Sequence, residues 1–335
     1  MLNKGNVLTQ KGTLTEEGYS FEEVKRYNKE NIPSLYSARL KEWDYYSFLN
    51  DEMGFLLTVA NNTYMSYISC SFVDFVNKEY VTKTYLNVGS NHINLPHSPL
   101  KGNINISDKR FYISIKKETN STKILAKLNH FVKKMNLVLN FDVTNKNLGN
   151  SLFILHPFKN KHHFYYNFKE NLLIANGYIK LGDNKTPFKG DGVYDWGRGV
   201  WPYSTEWYWI STSKTKENSS LGFNLGNGFG IGKDSENTVY FNNEKFKLDD
   251  LIINIPKTEK GKISYLENWE LKSKNGDINL TFTPLVNRHD SLNFGLLSTT
   301  QNQVFGHFNG QIKTKEKVLT FTSELGFIEH FKNRW

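Results

Sequence analysis

Short segments in which apolar and polar residues alternate recur along the chain, separated by turns rich in Asn, Gly, Lys and Asp. Successive side chains of a β-strand point to opposite faces of its sheet, so this alternation is typical of half-buried strands. The regular spacing predicts barrels or sandwiches. In the first half the predicted strands are Tyr45–Leu49, Gly54–Val59, Tyr64–Phe75, Lys78–Leu86, Asn103–Ile106 and Phe111–Lys116. In the second half they are Trp207–Ser211, Leu221–Leu225, Thr238–Phe241, Glu244–Leu248, Trp269–Lys272, Ile278–Thr283, Gln303–Ile312 and Lys317–Thr322.

The length of 335 residues indicates two domains or one large all-β body. Aromatic residues make up 15% of the chain, and aromatic side chains favour sheets over helices. We predict an N-terminal extension over residues 1–32 and two β domains, over residues 33–176 and 177–335. The one predicted helix lies in the extension, where Ser20-Phe-Glu-Glu23 has the form of a capping box and Pro33 ends the segment.

The net charge of +9 comes from lysines scattered through every segment, without a compact basic stripe. This pattern indicates a solvated basic surface and no nucleic-acid partner, and it leaves weak attraction to an anionic membrane surface open. The chain has no signal-peptide pattern and no apolar run near the roughly 18 residues that span a bilayer. We therefore expect a soluble, cytoplasmic protein of unknown oligomeric state.

The run Asp191-Gly-Val-Tyr-Asp195-Trp-Gly-Arg198-Gly-Val-Trp201-Pro-Tyr203 concentrates charged and aromatic side chains. Its glycines and its proline make a helix unfavourable and predict a loop between the domains. In such a loop Arg198 can bridge one aspartate in a bidentate manner, which leaves the other carboxyl free to bind or to deliver a proton. A salt-bridged structural knot explains the run equally well.

A second cluster, Arg288-His289-Asp290, follows the predicted strand Ile278–Thr283. His289 is a candidate base or proton donor near neutral pH, and a packing or surface role is the alternative. We expect Asp191, Asp195, Arg198 and His289 to form a catalytic site, provided that the two clusters converge in the fold.

Aromatic residues are dense around the first cluster and suggest a wall for an apolar, flat or cationic ligand. An ordinary aromatic core is the alternative reading. The candidate ligand-binding residues are Trp196, Trp201, Tyr203, Trp207, Asn224 and Arg288. The chain lacks the His and Cys spacings of zinc sites and the glycine pattern of nucleotide sites, so we predict no metal and no cofactor.

Several motifs together resemble the domain-of-unknown-function family 2804. They are Asp195-Trp-Gly-Arg-Gly-Val-Trp-Pro-Tyr203, Gly222-Phe-Asn-Leu-Gly226, Leu280-Thr-Phe-Thr-Pro-Leu285 and the closing Leu325-Gly-Phe with Arg334-Trp335. The resemblance extends from about residue 33 to the end of the chain. This family is similar, at a distance, to two-domain lipocalin-like proteins that include carotenoid hydratases and tocopherol cyclase. The resemblance therefore implies two lipocalin-like β-barrel or sandwich domains.

The resemblance also implies a small hydrophobic, unsaturated ligand. An enzyme of this kind, a hydratase, isomerase or cyclase, would protonate an alkene with an Asp or Glu that an aromatic pocket keeps protonated. Asp195 or Asp191 would be the acid, with Arg198 and His289 as charge partners. A non-catalytic lipid or isoprenoid carrier with the same pocket is the alternative. A carbohydrate-active protein, with paired carboxylates and Trp platforms, is a weaker third hypothesis.

Overall fold

The computed structural model describes residues 1–89, 93–145, 150–228, 230 and 235–334, without the side chain of Phe294. Its N-terminal region contains three short strands, β1 (Gly5–Asn6), β2 (Gly18–Ser20) and β3 (Lys25–Arg26), of which β1 and β3 pair in parallel. A 3₁₀ turn (Lys29–Asn31) and the one-turn helix α1 (Ser34–Ser37) follow.

The position of the predicted helix, between Ser20 and Pro33, is wrong, because the helical turns of the structure lie at Lys29–Asn31 and Ser34–Ser37. Ser20 does not cap a helix, because its hydroxyl accepts a hydrogen bond from the Glu22 backbone N–H at 3.1 Å and so forms a local turn. The backbone around it instead pairs with a distant strand, where Ser20 lies opposite Phe153. Tertiary strand pairing has overridden a local helix signal.

Within the described residues, the first large antiparallel sheet holds twelve strands. Besides β2 they are β4 (Leu40–Leu49), β5 (Met53–Asn61), β6 (Met65–Asp74), β7 (Glu79–Val88), β8 (Ile104–Asp108), β9 (Phe111–Lys117), β10 (Ser121–Val132), β11 (Met135–Asn145), β12 (Ser151–Pro157), β13 (Phe164–Leu181) and β14 (Asn184–Val200). Their order is β7-β6-β5-β4-β14-β13-β11-β10-β9-β8, and β12 joins β13 to β2.

In the part of the chain that the structure describes, the second large sheet holds nine antiparallel strands in the order β18-β17-β16-β15-β23-β22-β21-β20-β19. They are β15 (Ser204–Thr215), β16 (Ser220–Asn227), β17 (Thr238–Phe241), β18 (Glu244–Lys247), β19 (Leu251–Asn254), β20 (Trp269–Ser273), β21 (Ile278–Phe294), β22 (Leu297–Lys313) and β23 (Val318–Arg334). The all-β fold predicted from the alternation is confirmed, with two curled antiparallel sheets in two domains.

The change from one sheet to the other falls at residues 201–203, not at the predicted boundary near Asn176-Gly177. Asn176 and Gly177 lie inside β13, which pairs with β14 along almost its whole length. The expected loop at Asp191–Tyr203 is also wrong up to Val200, because this stretch is the second half of β14.

The glycines that suggested a loop are explained by close packing within β14. A Cβ atom at Gly197 would lie 2.1 Å from the Trp43 indole, and one at Gly199 would lie 2.3 Å from the Phe164 carbonyl oxygen. Glycine inside a strand often marks such a close approach of a neighbouring group. The motif is thus a strand that lets an aromatic ring lie directly against its backbone.

Each sheet curls around its own apolar core, and the two sheets pack against each other through a third apolar cluster. Alternation along the shared strands divides their side chains between these layers. On β14, Tyr194 and Trp196 point into the first core, whereas Val193 belongs to the cluster between the sheets. The face that carries Val193 also carries Asp195, which places this carboxyl between the domains.

Candidate functional site between the two sheets

A cavity of about 190 Å³ lies between the two large sheets. Strands β4 to β7, β13 and β14 of the first sheet and β15, β21, β22 and β23 of the second contribute to its lining. The cavity has a partly exposed rim, an aromatic wall and a buried polar floor.

The aromatic wall is a continuous series of rings: Trp43, Tyr165, Trp201, Trp207 and Phe331. Ring centroids of Trp43 and Tyr165 are 5.9 Å apart and stacked, and those of Trp201 and Trp207 are 5.3 Å apart. Trp207 in turn stacks on Phe331 at 4.7 Å. Such rings offer a rigid, flat, apolar surface with an electron-rich face.

The polar floor carries three carboxyl groups, from Asp195, Glu236 and Glu329, among the described residues that line the cavity. Two cations, Lys169 and Arg288, line the same part of the cavity. All five side chains are at most 6% exposed. Buried charges are tolerated when each has a counter-charge or hydrogen bonds, so the pairing within this group decides its chemistry.

Lys169 is the counter-charge of Asp195. Its Nζ atom lies 2.8 Å from Asp195 Oδ2 and 4.0 Å from Glu236 Oε2. The ammonium group also lies over the Trp209 ring, 3.7 Å from the centroid. The second oxygen of Asp195 accepts a hydrogen bond from Asn167 Nδ2 at 2.5 Å. Asp195 is therefore a fully paired carboxylate.

Glu236 is held by Asn224, whose Nδ2 donates to Glu236 Oε2 at 3.1 Å and to the Glu236 backbone oxygen at 3.0 Å. Burial raises the pKa of the Glu236 carboxyl, and Lys169 opposes this shift. A Cβ atom at Gly226 would lie 1.9 Å from Glu236 Oε1. The Gly222-Phe-Asn-Leu-Gly226 motif thus supplies both the amide that holds Glu236 and the space beside it.

Glu329 is the carboxyl with the weakest pairing. It accepts a hydrogen bond from Gln301 Nε2 at 2.8 Å, but the nearby Arg288 donates its Nε and Nη2 hydrogen bonds to Gln303 Oε1 instead. Burial raises the pKa of Glu329 to about 7, although Arg288 and Lys169 favour the charged form. Glu329 can therefore carry a proton into an apolar cavity at neutral pH.

Arg198 does not reach this floor. It is fully buried on the opposite face of β14, where its Nη2 lies 2.8 Å from Asp44 Oδ1 and 3.0 Å from the Pro96 carbonyl oxygen. Its Nη1 donates to the Trp43 carbonyl oxygen at 2.6 Å. Residues three apart in a strand point to opposite faces, so the predicted bridge from Arg198 to Asp195 is excluded. Arg198 connects strands inside the first domain.

We expect Arg198→Lys to lower the free energy of unfolding by about 1–3 kcal/mol, because a single ammonium cannot replace the guanidinium bonds to Asp44 and to three backbone carbonyl groups. Denaturant unfolding of the variant would measure this loss. Arg26→Lys is the matched control, since Arg26 is 77% exposed and its nearest acidic partner, Glu30, lies 3.8 Å away. Equal stability of both variants would contradict the role assigned to Arg198.

Asp191 shares the inter-sheet face of β14 but lies four residues from Asp195, about 13 Å along the strand. It borders a separate cleft lined by Lys189, Lys214 and Lys216, and it accepts a hydrogen bond from the Thr215 backbone N–H at 3.0 Å. Burial raises the pKa of Asp191 to about 6. The structure therefore separates the two aspartates that the sequence suggested as a pair.

His289 and Arg288 lie on opposite faces of β21. Arg288 is 5% exposed and lines the cavity, whereas His289 is exposed and its Nδ1 lies 3.0 Å from Asn302 Oδ1. The expected convergence of Arg198 and His289 is not found, since each points away from the space between the sheets.

The structure places some of the predicted ligand-binding residues at the cavity and others away from it. Trp201, Trp207 and Arg288 line the cavity, and Asn224 supports Glu236 from behind. Trp196 is fully buried in the core of the first domain. Tyr203 is 41% exposed outside the cavity, where its hydroxyl donates to the Leu296 backbone oxygen.

Sequence reasoning missed Lys169, Glu236 and Glu329 as site residues. A signal for two of them exists: Lys169 and Glu329 are charged and directly follow the bulky apolar residues Phe168 and Ile328 inside predicted β-rich sequence. Charged residues are almost never fully buried unless they are paired, so such positions either face solvent or mark a polar site. Neither local sequence tells which of these applies.

Among the residues that the structure describes, no group of three His, Cys, Asp or Glu side chains is arranged to hold a metal ion. No helix in the described part of the chain is long and apolar enough to cross a membrane.

Comparisons with known proteins agree with this architecture. The model of a family described as a domain of unknown function, DUF2804, matches residues 1–335. Kievitone hydratase from Nectria haematococca is similar in structure, with 14% identity, a TM-score of 0.52 and 88% coverage of each chain. A Nitrosomonas europaea protein assigned as AttH is also similar, with 13% identity, a TM-score of 0.50, and coverage of 87% of this chain and 92% of the other. No curated protein matches the sequence.

Proposed function

The chain belongs to the DUF2804 family, and we propose that it is a cofactor-independent enzyme that hydrates a carbon–carbon double bond of a small hydrophobic molecule. The observation that carries this proposal is Glu329, a buried carboxyl with a pKa near 7 that lines a cavity with an aromatic wall. A proton donor of this kind is what acid-catalysed addition to an alkene requires.

In the proposed reaction the Glu329 carboxyl gives its proton to one alkene carbon, and the π electrons form the new C–H bond. The other carbon becomes cationic beside the aromatic wall, whose ring faces attract positive charge. A water molecule attacks this carbon, and its surplus proton returns to the Glu329 carboxylate. The net change is the addition of one water, and the carboxyl group is restored.

The paired groups of the floor have a different task in this proposal. Asp195 and Lys169 form an ion pair 2.8 Å apart that takes no part in the proton transfer, so they provide a fixed field around the reacting carbons. Asp195 thus remains in the proposed site, as a positioning and electrostatic group rather than as the acid. Asp191, Arg198 and His289 have no contact with the cavity and no step in the reaction.

The fold of kievitone hydratase gives a precedent for a hydratase on this scaffold, and at 14% identity this likeness bears on the fold alone.

The charged floor separates our proposal from the carrier alternative. A carrier of an apolar molecule gains nothing from three buried carboxyls, since each costs desolvation energy. The buried floor and the apolar aromatic wall likewise disfavour a carbohydrate site, which would need a wet cleft.

Native mass spectrometry tests the proposal. The purified protein is incubated with a bacterial lipid extract, and bound molecules are identified at the start and after several hours. We expect a bound hydrophobic molecule to be replaced by one that is heavier by one water. A ligand that stays bound and unchanged would assign the carrier function and reject the enzyme.

The pKa of Glu329 also predicts a pH dependence of stability. Because burial raises this pKa from 4.5 in the unfolded chain to about 7, the folded state holds the proton more tightly and loses stability as the pH rises between these values. Glu329→Gln removes this dependence and should make the variant more stable than the wild type above about pH 8, by up to about 3 kcal/mol. Denaturant unfolding of both proteins across this pH range measures the difference. If the free energies of unfolding of the wild type and the variant changed with pH in parallel, Glu329 would not be a buried carboxyl that titrates in this range.

A further inference from the structure

The rim of the cavity lies at one end of the molecule. It is formed by the ends of β6 and β7 in the first sheet and by the hairpin between β21 and β22 in the second, with Tyr64, Met65, Leu86, Leu297 and Arg334 among its residues. We call this end, together with the adjoining helix α1, the entrance face. The floor residues Asp195, Glu236 and Glu329 are buried, whereas the lining residues Leu86 and Arg334 of this face are exposed.

Three aliphatic side chains on the entrance face point into solvent. Leu35 of α1 is 82% exposed, Val88 at the end of β7 is 92% exposed, and Leu296 at the tip of the β21–β22 hairpin is 81% exposed. Val88 lies opposite Met65 of the rim, and Leu296 directly precedes Leu297 of the rim. Exposed apolar groups that border an apolar cavity mark an interaction site more strongly than isolated ones.

Contacts between neighbouring segments place these groups at the same end. The Tyr203 hydroxyl donates to the Leu296 backbone oxygen, and the Arg39 guanidinium lies 5.9 Å from the Tyr203 ring centroid. Thr63 donates to the Ser37 backbone oxygen at the end of α1. The hairpin tip, the Tyr203 turn and α1 therefore form one continuous surface around the rim.

The entrance face also carries cations. Arg39 is half-buried beside Tyr203, and Arg334 is exposed on the rim. Lys161 is exposed and precedes His162, whose ring stacks on Tyr36 of α1 at 4.9 Å. The one acidic residue among the described rim residues, Asp290, is half-buried and lines the cavity itself. The whole chain has a net charge of +9. Aliphatic side chains surrounded by Lys and Arg are complementary to the surface of an anionic bilayer.

We propose that the entrance face docks on anionic lipid membranes, so that a hydrophobic substrate passes from the bilayer into the cavity without crossing water. Leu35, Val88 and Leu296 insert among the lipid chains, and Arg39, Lys161 and Arg334 contact the phosphate groups. This inference rests on the proposed function for its substrate, but the docking itself is tested without any substrate.

Sedimentation with vesicles measures the docking. The wild-type chain should bind vesicles of phosphatidylcholine mixed with phosphatidylglycerol at least about tenfold more tightly than vesicles of phosphatidylcholine alone, and added salt should weaken this binding. The double variant Val88→Ser/Leu296→Ser should lose about tenfold in affinity for the mixed vesicles. Arg39→Gln/Lys161→Gln should lose most of the preference for the anionic lipid.

The matched control is Val76→Ser/Val318→Ser. These valines are 71% and 56% exposed, but Val76 follows β6 at the end remote from the rim, and Val318 begins β23 in the second domain. This variant should bind the mixed vesicles like the wild type. Equal losses in both serine variants would overturn the entrance face as the docking surface, as would equal binding of the wild type to both vesicle types.

A second copy of the chain is the other occupant that could cover the entrance face. A dimer in analytical ultracentrifugation that Val88→Ser/Leu296→Ser dissociates would overturn the membrane proposal. Membrane docking and hydration can also be rejected independently of each other. If the protein binds vesicles but converts no bound ligand, the enzyme proposal is rejected and the docking proposal stands. If it converts a ligand but does not bind vesicles, only the docking proposal is rejected.

Discussion

Glu329→Gln should lower the turnover of the bound ligand by about 100- to 10,000-fold, because the amide fills the same space but has no acidic proton to give to the alkene. Binding of the ligand should change little, since the aromatic wall and the other floor groups stay in place. Turnover and ligand occupancy can be followed together in the mass spectrometer, so loss of chemistry is separated from loss of binding.

The matched control is Glu324→Gln in the same strand. Glu324 is 8% exposed, similar to Glu329 at 6%, but it lies outside the cavity and its nearest cation is Lys216 at 3.9 Å. This variant should convert the ligand at the wild-type rate. Unchanged turnover in Glu329→Gln would reject Glu329 as the acid. Glu236 would then be the candidate acid, because burial also raises the pKa of its carboxyl.

The largest expected effect on stability is that of Lys169→Met. Removing this cation leaves Asp195 and Glu236 buried without their shared counter-charge, and breaking a buried pair in this way costs about 3–5 kcal/mol. Denaturant unfolding near neutral pH would measure the loss. The deficit should shrink in acid, where protonated carboxyls need no counter-charge.

Lys123→Met provides the comparison for Lys169→Met. Lys123 pairs with Glu118 at 2.9 Å, but the two side chains are 56% and 45% exposed. Water screens exposed pairs, so they contribute little to stability and this variant should unfold almost like the wild type. A Lys169→Met variant that is equally harmless would mean that the carboxyls of the floor need no buried counter-charge and would contradict the role assigned to Lys169.

Much of the fold followed from the sequence, because alternation along a strand is a local property. All fourteen predicted strand segments fall within observed strands, apart from terminal residues. The longest pair, β13 and β14, was missed in part because β14 contains Gly192, Gly197 and Gly199. Those glycines are required by neighbours distant in sequence, such as Trp43, and no local pattern reveals such contacts.

The candidate site could be predicted only in part for a related reason. The central motif contains Asp195 and Trp201, which line the cavity together with Trp207 of the following strand. The face of the sheet on which a side chain lies depends on strand register. Because the motif was interpreted as a loop, nothing in the sequence separated Asp195 from Arg198, and both were assigned to one cluster. Lys169 and Glu329 reach the floor from strands far away in the sequence, so only the assembled sheets show their relation to Asp195.

The central claim is that the cavity adds water to a double bond. Its most direct measurement is to incubate the protein and its bound ligand in water labelled with heavy oxygen, for the wild type and for Glu329→Gln in parallel. We expect the wild type to form a product that carries the heavy oxygen, and the variant to hold the ligand unchanged. A product without the label, or a wild-type chain that returns its ligand intact, would contradict the hydration.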